Sequence, residues 1–75
     1  MSQEQRILDY ISDRKWHHVL AIIEYVVPGG ANVAIRSRIS ALQPKLAETG
    51  QTILSRTAAD GQAEYRLAFI GELPL

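Results

Sequence analysis

At Gly50 the hydrophobic pattern of this chain changes period. Before it, Ile35, Ile39, Leu42 and Leu46 recur at i, i+4, i+7 and i+11, the spacing of one helix face. After it, "QTILSRT" and "AEYRLAF" are rich in Thr, Ile, Tyr and Phe and alternate, with Tyr65, Leu67 and Phe69 on one face and Glu64, Arg66 and Ala68 on the other. Between these runs lies "AADGQ", a turn cluster with Asp-Gly at 60–61. The fold must therefore join a helical body to a terminal β-hairpin with a loop of about five residues.

The helical body divides into three. Ser2 and Gln5 have the spacing of a capping box, and Ile7, Leu8 and Ile11 form an apolar stripe, so a first helix is expected over about 3–13. "DRKWHHV" interrupts the periodicity, and Trp16 is expected on a short extended segment, packed inward as part of the core. A second, short and apolar helix runs from His18 or Val19 to Val26, with Leu20, Ile23 and Val27 at helical spacing. "PGG" at 28–30 ends it, because proline disfavours helical geometry in the residue before it and glycine permits a tight reversal. Asn32 is the expected cap of the third helix. Pro44 removes the bond to the Ser40 carbonyl, so this helix is expected to kink or break there and still reach about Glu48, with Gly50 as its left-handed terminator. The tail "IGELPL" carries no clear signal.

Seventy-five residues without an internal repeat or linker make one domain, 1–75, with a thin core. The absence of cysteine leaves neither disulfides nor thiolate–metal sites to support it. Apolar runs fall short of a membrane span and the polar N-terminus lacks the pattern of a secretory signal, so a cytoplasmic protein with no membrane partner is expected. Formal net charge is zero, which weighs against a polyanion binder. Its distribution weighs the other way. Residues 26–56 hold Arg36, Arg38, Lys45 and Arg56 against Glu48 alone, a net of +3, while the flanking segments are negative.

Catalysis is not expected. There is no cysteine nucleophile and no Ser–His–acid set, Asp9 and Asp13 read as solvated, and a domain this small has little room for a substrate cavity. Nor is a metal or cofactor: His17 and His18 are adjacent, so on a helix they diverge by about 100°, and neither has a histidine at i+4. "PGGAN" lacks the Gly-Lys-Ser/Thr of a nucleotide-cradling loop.

Three helices and a hairpin, with a short extended segment at Trp16, resemble the winged helix-turn-helix domain: an α+β fold of three core helices and a C-terminal hairpin wing. The resemblance covers roughly residues 3–69. It rests on element order and on "SRISALQPKLAETGQTIL" followed by "EYRL", a pattern similar to small bacterial regulators and bacteriophage-encoded helix-turn-helix proteins. The chain departs from that pattern at Pro44 and in its neutral charge.

The resemblance implies binding of double-stranded DNA and transcriptional regulation, with the third helix in the major groove. On that helix Val33, Ser37, Ser40 and Ala41 fall opposite the apolar stripe, with Arg36 and Arg38 on the two flanks. Arg36 is the expected base contact, with Val33, Ser37 and Ser40 beside it. Arg38 and Lys45 are expected on phosphates, as are Asn32 and the first-turn N–H groups. Arg56 and Arg66 sit on the wing. One domain reads only a few base pairs, so a homodimer is an expected partner arrangement. The competing reading is a protein-interaction or dimerisation module, including a phage-encoded modulator of a host protein, that uses the same scaffold without DNA; the apolar second helix and the tail "FIGELPL" supply material for it.

Overall fold

The structure is a computed structural model and describes residues 2–72, apart from the side chains of Asn32 and Glu72. The tail beyond Glu72 lies outside the described residues. The described chain is a small α+β domain of three helices and a three-stranded antiparallel sheet: α1 (Gln3–Ile11), β1 (His17–His18), α2 (Val19–Val26), α3 (Asn32–Ala47), β2 (Gln51–Thr57), β3 (Ala63–Phe69) and a closing 3-10 turn (Ile70–Glu72). The sheet order is β1-β3-β2, which leaves β2 as a long edge strand.

Local chemistry explains where the helices begin and end. The Ser2 hydroxyl accepts from the Gln5 N–H at 3.1 Å, half of the expected capping box; the Gln5 amide donates forward to Asp9 at 3.0 Å instead of reaching back. α1 stops at Ile11, two residues short of expectation, in a turn that brings Arg14 to φ 63°. The Gly30 N–H then closes the Pro28–Gly30 reversal on the Val27 carbonyl at 2.8 Å, with Gly29 at φ 79°. α3 begins one residue earlier than its expected cap would place it. Ala31 occupies the N-cap and offers no side-chain bond, so Asn32 is the first helical residue rather than the cap. Pro44 does not end α3, which continues to Ala47. Ser40, whose carbonyl loses its partner, lies on the exposed face of the helix. Gly50, at φ 74°, turns the chain into β2.

The core draws on every helix and both hairpin strands: Ile7 and Ile11; Val19, Ile22, Ile23 and Val26; Ile35, Ile39, Leu42 and Leu46; Ile53, Tyr65 and Leu67. Three expectations about packing are corrected. Leu20 is half exposed, because α2 turns Val19, Ile22 and Ile23 inward. Trp16 is only partly buried and lies outside the core; the Arg56 guanidinium covers its ring at 4.2 Å. Phe69 is 44% exposed although it shares a face with Tyr65 and Leu67, since it sits at the sheet's end under the Arg14 guanidinium, 3.9 Å away. Ala68 is fully buried although it shares a face with Glu64 and Arg66.

Arg14 joins the end of α1 to the sheet. Its Nη2 donates to Gln51 at 3.0 Å and its carbonyl accepts from Arg66 Nε at 2.7 Å. Its Nη1 is buried without a partner among the described residues.

Candidate nucleic-acid interface

α3 divides its residues by angle. With the apolar stripe turned inward, Val33, Ser37, Ser40, Ala41 and Pro44 form an outer face, and every one of them is exposed. Val33 is the most open large apolar side chain among the described residues, at 67%. This face carries no charge. Its flanks do, and the two flanks differ.

On the α1 side the cations are held. Arg38 Nε donates to Gln3 at 3.1 Å, and Lys45 Nζ lies 3.6 Å from a Glu4 oxygen. Both contacts are exposed, so each is worth at most about 1 kcal/mol and gives way readily to a stronger anion. On the hairpin side Arg36 is exposed and makes no hydrogen bond or ion pair with the described residues. It lines a half-open cleft of about 450 Å³ with Val19 at the start of α2 and with Ser55, Thr57, Ala63 and Tyr65 on the inner face of the hairpin.

The two hairpin arginines behave differently from Arg36. Strand register pairs Arg56 with Glu64, and Arg56 Nε donates to that carboxylate at 2.7 Å while the guanidinium lies over Trp16. Arg66 shares this outer face, but its Nε is drawn to the Arg14 carbonyl, and the residue is only partly exposed. Val33, Arg36, Ser37 and Ser40 are therefore brought together on one surface bounded by Arg38 and Lys45. Arg56 also borders the cleft, while strand parity puts its side chain and that of Arg66 on the far face of the hairpin. The side chain of Asn32 lies outside the described residues.

The histidines were not expected to hold the hairpin, yet one does. His18 is the N-cap of α2: its Nδ1 accepts the Leu20 N–H at 3.1 Å. That acceptor role leaves the proton on Nε2, which donates to Asp60 in the hairpin loop at 2.9 Å. His17 pairs with Asp13 at 2.7 Å and packs on Tyr10, which in turn stacks on Tyr25. These tyrosines contact each other across α1 and α2, away from α3's outer face. Both aspartates are held below the ordinary carboxylate range. For Asp13 the main cause is the His17 hydrogen bond; for Asp60 it is the Gln62 backbone N–H, followed by His18. No cluster of three metal-ligating side chains occurs among the described residues.

Gln43 was also missed. Its side chain bonds the Ile53 backbone and the Thr52 hydroxyl, fixing the angle between α3 and the hairpin. No sequence signal marks it beyond its place on the Arg36 flank of the helix.

No protein family, curated protein or solved structure matches the chain.

Proposed function

We propose that the chain is a winged helix-turn-helix domain that binds double-stranded DNA, with α3 in the major groove, the β2–β3 hairpin as a wing on the backbone, and transcriptional regulation as the outcome. The observation that carries this reading is the contrast between Arg36 and the other cations of α3 and the hairpin, Arg38, Lys45, Arg56 and Arg66. Arg36 stands uncompensated beside an exposed, uncharged surface of Val33, Ser37 and Ser40 on the helix that leads into the hairpin.

The chemistry suits a groove. Small side chains let the helix backbone approach base edges, and a helix fits a major groove about 12 Å wide. A guanidinium beside them pairs in two-pronged fashion with guanine O6 and N7, and serine accepts or donates at either type of base pair. Arg38 and Lys45 are placed for phosphates on the opposite flank, where their present partners are weak. The element order and the sheet order β1-β3-β2 support the fold assignment. Arg56 and Arg66 reach DNA only if it approaches the wing's outer face, and Arg56 must first release Glu64.

A second reading, a protein-interaction module, is favoured by the zero net charge and by half-exposed Leu20 and Tyr25 on α2. Backbone amide mapping separates the two. On adding duplex DNA, shifts concentrated at Val33, Arg36, Ser37 and Ser40 support the DNA reading. Shifts absent at every duplex concentration, or confined to α2, refute it.

A further inference from the structure

The outer edge of β2 is half closed and half open. The bonds Ile70 N–H to Gly50 carbonyl (2.8 Å) and Ala58 N–H to Gln62 carbonyl (2.7 Å) continue the β2–β3 register at its two ends. Antiparallel bonding alternates, so the even-numbered residues of β2 bond β3 and the N–H and C=O groups of Ile53, Ser55 and Thr57 point outward. At Ile53 that edge is filled: the Gln43 amide donates to the carbonyl at 2.8 Å and accepts the N–H at 3.1 Å, as a neighbouring strand would. At Ser55 and Thr57 no described residue does the same. Those two positions face the cleft that Arg36 lines.

We propose that this open edge takes an extended acidic peptide segment as an additional strand, hydrogen-bonded to Ser55 and Thr57, with a carboxylate on Arg36. Incoming residues opposite Ser55 and Thr57 project their side chains to the same side as those two, into the cleft and toward Arg36. The residue between them projects to the side of Arg56. Charge selects the occupant. A second copy of this chain pairing β2 to β2 would bring two Arg56 side chains and two Arg36 side chains to one seam, and like charges placed opposite are destabilising. An acidic strand meets the unpaired cation instead. This proposal is independent of DNA binding, and because both ligands use Arg36 it makes them competitors.

The probe is a capped peptide of alternating glutamate and valine, roughly seven residues long. In the free protein the Ser55 and Thr57 amides should exchange with solvent much faster than those of Leu54 and Arg56. On titration they should become protected, with saturable shifts at Arg36. Ser55→Pro removes one edge donor at a position where an edge strand tolerates proline, and should weaken the peptide at least about tenfold with the hairpin signals intact. Arg36→Ala, on an exposed position that does not threaten folding, should do the same. Lysine in place of glutamate should also weaken binding at least about tenfold. The proposal is overturned if the Ser55 and Thr57 amides are already protected in the free protein, if the lysine peptide binds as well as the acidic one, or if duplex DNA protects these amides and the acidic peptide does not.

Discussion

Gln43 and Ile53 meet as neighbouring strands do, through one side-chain amide that both donates to and accepts from the same residue's backbone, at 2.8 and 3.1 Å. The same Gln43 oxygen also accepts the Thr52 hydroxyl at 3.0 Å. One polar side chain thus sets how the hairpin stands relative to α3, and with it the width of the Arg36 cleft. Gln43→Ala removes all three bonds from a partly buried site. Each is worth about 0.5–1.5 kcal/mol net, so urea denaturation should show a loss of about 1.5–4.5 kcal/mol. An unchanged midpoint would mean that the hairpin is positioned by core packing alone.

The two faces of α3 should respond in opposite ways. Ile35→Ala opens a cavity at a residue that is 1% exposed and should cost about 2–5 kcal/mol, enough to unfold much of a small domain. Val33→Ala, at 67% exposure, should leave stability within about 0.5 kcal/mol and weaken DNA. Thermal melts of the two variants distinguish this orientation from a rotated helix.

Trp16 reports on the wing. Arg56→Ala removes a stacked guanidinium and an exposed ion pair with Glu64, together worth about 1 kcal/mol. The intrinsic fluorescence of the one tryptophan should change with little loss of stability. Unaltered emission would contradict the contact.

Acid should loosen the hairpin loop. The folded Asp13 and Asp60 carboxyls titrate below their unfolded values. A depressed carboxyl contributes stability that is complete above the unfolded value, near pH 4, and disappears as pH falls through the folded one. The stability gap between the protein and its Asp13→Asn/Asp60→Asn variant should therefore be full at about pH 5 and shrink steadily below about pH 4. A gap that widens on acidification would reverse the sign.

Tight geometry between α2 and α3 predicts a ranking of glycines. A Cβ on Gly30 would lie 2.8 Å from the Val27 carbonyl oxygen and closer still to its side chain, whereas one on Gly50 meets nothing within 4 Å. Gly30→Ala should cost about 1–3 kcal/mol through overpacking, and Gly50→Ala about 1–2 kcal/mol through its positive φ alone. Denaturation midpoints of the pair test this close approach, and a Gly30→Ala variant as stable as the parent would contradict it.

Local patterns were legible and long-range pairings were not. The period change at Gly50, the five-residue turn and the α3 stripe depend on neighbours within a few residues, and each is found where the pattern places it. Trp16 misled because its surroundings are set by Arg56 on a distant strand, not by flanking residues. Asn32 misled because a good capping residue does not by itself fix where a helix starts, and α3 starts from Ala31 with backbone contacts only. The wheel put arginines on both flanks of α3, but only the packing of α1 against one flank ties down Arg38 and Lys45 and leaves Arg36 untied. Gln43 and Arg14 were unreadable for the same reason: their partners lie on strands whose position the sequence does not state.

The most direct measurement is a fluorescence-anisotropy titration of the protein against duplex DNA at a series of salt concentrations, with Arg36→Ala alongside. Roughly three to four phosphate contacts per monomer predict a slope of log K against log[salt] of about −3 to −4. Arg36→Ala should weaken binding by about 1–3 kcal/mol while remaining folded. Absence of binding even at low salt, or binding equally tight without the Arg36 guanidinium, would contradict the account.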